Sequence, residues 1–135
     1  MWSSRAILAA AAALAVALAA APGVAQEAID GSKPLICATL EAVSCAPGEG
    51  CERGLPESVG APQFLRVDFA KQAVVGPKRT TPILHQETDA ARITLQGFEL
   101  GMGWTLAIDR ATGKAVITFA SPDEGITIFA ACTAP

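Results

Sequence analysis

From residue 63 onward, apolar and polar positions alternate with a period of two, the spacing of a strand that turns one face to a core and one to water. Gln63–Phe69 sets Leu65, Val67 and Phe69 on one side and Arg66 and Asp68 on the other. Ala73–Val75 can return after a tight turn and is stopped by Gly76-Pro77. Ile83–Thr88 and Ala91–Phe98 give two further strands, the second with Ile93 and Leu95 inward. Trp104–Asp109 alternates most regularly, with Trp104, Leu106 and Ile108 opposed to Thr105 and Ala107. Asp109–Lys114 is a hairpin connection in which Gly113 suits the left-handed position that closes such a turn. Ala115–Ala120 pairs back with Ile117 and Phe119, Ser121–Gly125 turns again, and Ile126–Cys132 is the last strand.

Upstream, Leu35–Ser44 has the pattern of a first strand. The segment Cys45–Pro62 holds four glycines and three prolines, which predicts an irregular stretch. Lys78–Pro82 is a polar, basic loop. No stretch after residue 25 carries a 3.6-residue apolar stripe, and no repeat or internal boundary is visible. The expectation is all-β: an antiparallel meander of about seven or eight short strands, closed into a small barrel or sandwich.

The first 25 residues show a different pattern. Met1–Arg5 carries one positive charge and no acid, Ala6–Ala21 is an unbroken apolar run, and Pro22-Gly23 breaks it before Val24-Ala25. Charged end, apolar core and small-residue exit are the order of a secretory signal peptide, here Met1–Ala25. The run is shorter and more alanine-rich than a spanning helix of about 20 strongly apolar residues. No cysteine stands at the expected cut, which argues against lipidation there. Residues 26–135 then make one domain by length, placed in the periplasm or outside the cell with no membrane span.

Charge removes some partners. The chain has ten basic and thirteen acidic side chains; leaving out Arg5 gives nine against thirteen, or −4. A nucleic-acid binder needs a basic stripe, and an anionic membrane surface needs the same. All four cysteines, Cys37, Cys45, Cys51 and Cys132, lie after the leader. An even count in an exported chain predicts two disulfides among three possible pairings. The turn formers Ala46-Pro47-Gly48-Glu49-Gly50 favour Cys45–Cys51, which leaves Cys37–Cys132 to tie the first strand to the last. A structural zinc site would want closer cysteine pairs.

The stretch Trp104–Lys114, with Ile128-Phe129-Ala130-Ala131-Cys132 at the end, resembles small exported bacterial proteins of unassigned activity. The shared features are a cysteine-rich start, a tryptophan strand entering an Asp-x-x-Thr-Gly hairpin and a terminal Phe-x-x-Cys. They cover about the last third of the chain plus the cysteine framework, and they imply a scaffold rather than an active residue. Size, export and the terminal disulfide are also similar, at the level of fold, to the eight-stranded periplasmic lysozyme inhibitors. The polar loop with which those inhibitors enter the enzyme has no match here.

Candidate chemistry is sparse. His85 is the sole histidine, and on a strand His85, Glu87 and Asp89 would share one face and could ligate a divalent metal; the competing reading is a solvated edge. Ser32, Ser44, Ser58 and Ser121 stand in no Gly-x-Ser-x-Gly elbow. Gly97–Gly103 is glycine-rich but lacks the Lys-Ser/Thr ending of a phosphate loop, and no helix comes after it. Trp104 is a core residue by its alternation, with a ligand platform as the lesser alternative. The sequence therefore predicts a non-enzymatic envelope domain without a cofactor. It would bind another envelope protein or component through the Ala46–Pro62 and Lys78–Pro82 loops. Inhibition of a cell-wall hydrolase such as lysozyme, favoured by acidic charge against a basic enzyme, and metal binding at His85 are the alternatives.

Overall fold

The computed structural model describes Gly23 and residues 27–135; apart from Gly23, the expected leader Met1–Ala25 and its cut lie outside the described residues. The described chain forms ten strands: β1 (Leu35–Ala46), β2 (Gly50–Gly54), β3 (Phe64–Asp68), β4 (Ala73–Val75), β5 (Thr80–Pro82), β6 (His85–Thr88), β7 (Arg92–Glu99), β8 (Met102–Asp109), β9 (Lys114–Ala120) and β10 (Gly125–Thr133). A single 3-10 turn, Pro56–Val59, stands between β2 and β3. All strand pairings are antiparallel, and they build one sheet in the order β5-β4-β3-β1-β10-β9-β8-β7-β6, with β2 also on β1. The fold class is the expected all-β one. One curled, barrel-like sheet replaces the sandwich alternative.

Two expectations need correction. The strand number is higher than seven or eight, because both segments read as loops contain a strand. Within Cys45–Pro62, β2 folds back on β1 in the register Ala42↔Gly54 to Ala46↔Gly50. The glycines at both ends of the hairpin hid it. Within Lys78–Pro82, β5 pairs with β4, and its Pro82 is tolerated because β5 ends the ladder and needs no donor there. The connectivity is not a simple meander either. β1 lies between β3 and β10, so the first strand pairs with the last.

The curl brings the sheet's two ends together through the chain itself. β5 is the first member of the ladder and β6 the last, yet only Ile83 and Leu84 separate them. Across that crossing, Ile83 N–H donates to Gln72 O (2.8 Å) and Leu84 N–H to Gln96 O (2.8 Å), one bond toward each side. The buried Ile83 faces inward while Leu84 stays exposed.

The inward residues form one core. Ile93, Leu95, Ile108, Val67 and Cys37 are fully buried, with Leu35, Leu106, Ile117 and Ile128 beside them. Of these, Val67, Ile93, Leu95, Leu106, Ile108 and Ile117 are positions that alternation sets inward on β3, β7, β8 and β9. Gly113 takes φ 74°, as its hairpin requires. Burying apolar area at about 25 cal/mol per Å² is the main favourable term, and no buried side-chain nitrogen or oxygen among the described residues lacks a partner.

One end of the curled sheet is sealed. Cys37 is bonded to Cys132 there, and Cys45 to Cys51 in the β1–β2 hairpin. Ile29, from the segment ahead of β1, is buried at the same end as Cys37. Arg110 holds it: the Ile29 N–H donates to Arg110 O (2.8 Å), and Arg110 Nε donates to Ile29 O (2.7 Å). The same guanidinium donates through an NH group to Asp89 O (2.6 Å), joining the β6–β7 turn. Two aspartates brace the turns here. Asp109 accepts from the Thr112 hydroxyl and from the Thr112 and Ala111 N–H groups, and Asp89 accepts from the N–H groups of Ala91 and Arg92. These bonds favour the ionised carboxylates and hold both below the usual value of 3.8.

The sealed end can be tested in two ways. Replacing Cys37 and Cys132 together by alanine lowers unfolding free energy in denaturant titration by about 4 kcal/mol, the scale expected for a long closed loop; an unchanged midpoint contradicts this. Because Asp109 and Asp89 are depressed in the folded state, they stabilise above the unfolded pKa, and that stability is lost as pH falls through 3.8 and below. Melting scans of Asp109→Ala across this window show a shallower acid loss than the parent.

Candidate functional site

The other end of the sheet is open. A cavity of about 440 Å³ enters it, within the range of roughly 300–1,000 Å³ typical of small-molecule sites. Leu106, Ile117 and Ile128 lie deepest along their strands; Trp104, Phe119, Ile126, Leu65 and Val74 form the walls. Val59, Ala61 and Pro62, which end the 3-10 turn or come just after it, cover one side. The polar groups stand at the mouth: Glu57, Lys78, Arg79, Thr81 and Glu99.

β1 changes partners beside the open end. Its pairing with β10 shifts register between Thr39 and Glu41, a bulge that bends the strand. Below the bulge its other edge pairs with β3 through Leu35–Ala38; above it the partner is β2 through Ala42–Ala46. β3 therefore diverges from β1 near the mouth. The loop between them fills the gap, with Pro56 buried and Thr39 bonded to it through its N–H to Gln63 O (2.9 Å) and its hydroxyl to Pro62 O (2.7 Å). The inward residue of β1 at this level is Ala42, which is 1% exposed and lies outside the lining of the cavity.

Trp104 is core, as its alternation predicts, and it is also a wall of the cavity; its two sequence readings merge. The ring lies over Gly97, its cross-strand partner. A Cβ at Gly97 would meet the indole and sit 2.7 Å from Pro82 O, so only glycine lets the ring lie flat. The indole Nε1–H points to Thr81 Oγ1 at 3.4 Å, and the Thr81 hydroxyl points to Phe98 O at 3.4 Å. These long contacts join β5 to β7 and β8 where no ladder does.

The mouth is spanned by an ion pair. Arg79 Nε, in the β4–β5 turn, lies 3.2 Å from Glu99 Oε1 at the end of β7. That turn is closed by Gly76 N–H to Arg79 O at 2.8 Å. Beside it, the two-residue β7–β8 turn holds Leu100 at φ 50° and Gly101 at φ 81°. A leucine in the left-handed region is uncommon, since asparagine is the residue such turns prefer at this position. Here it places an apolar side chain, 72% exposed, on the cavity rim.

The sequence-derived metal face does not assemble. His85 and Glu87 do point the same way on β6, with Nε2 and Oε2 4.0 Å apart, both well exposed. Asp89 lies past the end of β6 and is engaged by the Ala91 and Arg92 backbone. Among the described residues, no three His, Cys, Asp or Glu side chains come together as a metal requires. Gly97–Gly103, glycine-rich in sequence, is the end of β7, its turn and the start of β8. The Ala46–Pro62 and Lys78–Pro82 segments, singled out as contact loops, meet at the cavity mouth through residues 57–62 and 78–81. Sequence reasoning missed the cavity itself, although the strands that enclose it were all marked except β5.

No family model, curated protein or solved structure matches this chain.

Gly97→Ala is expected to destabilise the fold by about 2 kcal/mol through overpacking against Trp104 and a backbone carbonyl that cannot retreat. Urea unfolding measures this. A loss below about 0.5 kcal/mol would show that the indole is free to shift.

Proposed function

We propose that this chain is an exported binding domain, not an enzyme, and that it carries a small apolar or amphipathic component of the cell envelope. The observation that carries the reading is the chamber: about 440 Å³, apolar from Leu106 to Phe119, open at one end and sealed at the other. Removing apolar surface from water is favourable in proportion to its area. An apolar site of this shape gains most from a ligand with a hydrocarbon part and gives little to a polar one.

Binding rather than catalysis is supported by what faces the chamber. Its polar groups are one hydroxyl, two carboxylates and two cations, all at the mouth. A nucleophile with a base in reach is the usual requirement of covalent catalysis, and His85 stands on an exposed face of β6, away from this lining. The two disulfides fit an oxidising compartment outside the cytoplasm, which agrees with the leader pattern of Met1–Ala25. No helix among the described residues is long and apolar enough to cross a membrane.

The test is uptake of an uncharged environment-sensitive dye, N-phenyl-1-naphthylamine, by the purified protein. Saturable emission enhancement at micromolar dye is expected. Ile126→Phe, which narrows the chamber near its mouth, weakens uptake about tenfold, or ~1.4 kcal/mol. No enhancement, or equal enhancement with the variant, removes the reading.

A further inference from the structure

We infer that the ligand is an anionic amphiphile, with one apolar tail in the chamber and a carboxylate or phosphate head held at the mouth by Lys78 and Arg79. This rests on the binding reading above and adds the chemical class. A tail entering from the open end leaves its head among the five polar residues of the rim. Two of those are cations, adjacent in the β4–β5 turn, and two are acids on separate elements, Glu99 ending β7 and Glu57 in the 3-10 turn.

The count of charges is even, so their state decides. Glu99 is 23% exposed and already paired with Arg79. That pair uses the guanidinium's Nε, which leaves the two terminal NH₂ groups to form a fork for a second oxyanion. Lys78 has no ion-pair partner among the described residues and keeps all three of its donors. An anionic head can therefore join Lys78 and Arg79 without breaking any existing contact. A cationic head would have to take Glu99 from Arg79, or sit at the exposed Glu57 in the field of both cations. A neutral head would gain only hydrogen bonds.

The −4 charge of the domain, nine basic against thirteen acidic side chains without Arg5, opposes an anion at long range. Interactions between exposed charges fade beyond about 8–10 Å at physiological salt, so the cations beside the head outweigh acids elsewhere on the surface.

The experiment is displacement of N-phenyl-1-naphthylamine from the purified protein by dodecanoate, dodecanol and dodecyltrimethylammonium, each below its micellar concentration. The expected order is dodecanoate before dodecanol before the ammonium, with about tenfold between the two charged compounds, the sum of two partly exposed ion contacts. The double variant Lys78→Ala/Arg79→Ala removes the preference for dodecanoate over the ammonium; Glu99→Gln, which frees Arg79, strengthens dodecanoate further. Equal displacement by all three, tighter binding of the ammonium, or a preference that survives the double variant overturns the head-group assignment and leaves the chamber standing. Failure of the dye and of all three compounds to bind overturns the chamber reading itself.

Discussion

The antiparallel pairing of β1 with β10, locked by Cys37–Cys132, is the constraint on which the remaining architecture depends. It joins two strands about 95 residues apart in the chain, a contact whose loop-closure entropy is the costliest in the fold. Once β1 is seated between β10 and β3, the later strands can form by local hairpins: β7 through β10 on one side, β3 through β5 on the other. Without it, β5-β4-β3 and β10-β9-β8-β7-β6 would be separate sheets, each leaving an apolar face in water. The disulfide sets that long-range register at a residue pair, Cys37↔Cys132, that also lies in the core.

The same strand produces the asymmetry between the two ends. At its start β1 sends the buried Leu35 and Cys37 inward, beside Ile29 and the Arg110 bonds. After the bulge it turns to β2, presents Ala42, and leaves a gap that a short 3-10 turn bridges. The positions around the opening are ones a purely structural barrel does not need. Leu100 adopts a backbone conformation that asparagine or glycine would take at lower cost, and it does so with its side chain on the rim. Gly97 gives up a side chain so that Trp104 can form a wall. The Leu100 conformation favours an apolar surface at the mouth over the least strained turn.

Much of the fold is legible in the residues. Period-two alternation locates eight strands and their inward faces, since Val67, Ile93, Leu95, Trp104, Leu106 and Ile108 lie where strict alternation puts them. The turn residues between Cys45 and Cys51 indicate that hairpin's disulfide, and elimination gives the other. The limits are also physical. β2, Gly50-Cys51-Glu52-Arg53-Gly54, is exposed or half-buried on every residue, so no alternation marks it. It exists because β1 offers an edge and because the Cys45–Cys51 disulfide pins the hairpin. β5 is three residues long and depends wholly on β4. The pairing of β1 with both β3 and β10 is a tertiary fact with no local signature.

The site is less legible than the fold, for a similar reason. Leu106, Ile117 and Ile128 look the same in sequence whether they pack against other side chains or line a space. The difference lies in what stands opposite, which depends on how the sheet curls. The metal face at His85 fails because it assumes that β6 continues through Asp89, whereas Asp89 leaves the strand to brace the next turn. The most direct test of the account is a crystal structure of the protein under xenon pressure. Apolar space takes up the gas, so the account predicts xenon density bounded by Trp104, Ile117 and Ile128. A chamber closed up around Trp104, Ile117 and Ile128, with no xenon there, would contradict it.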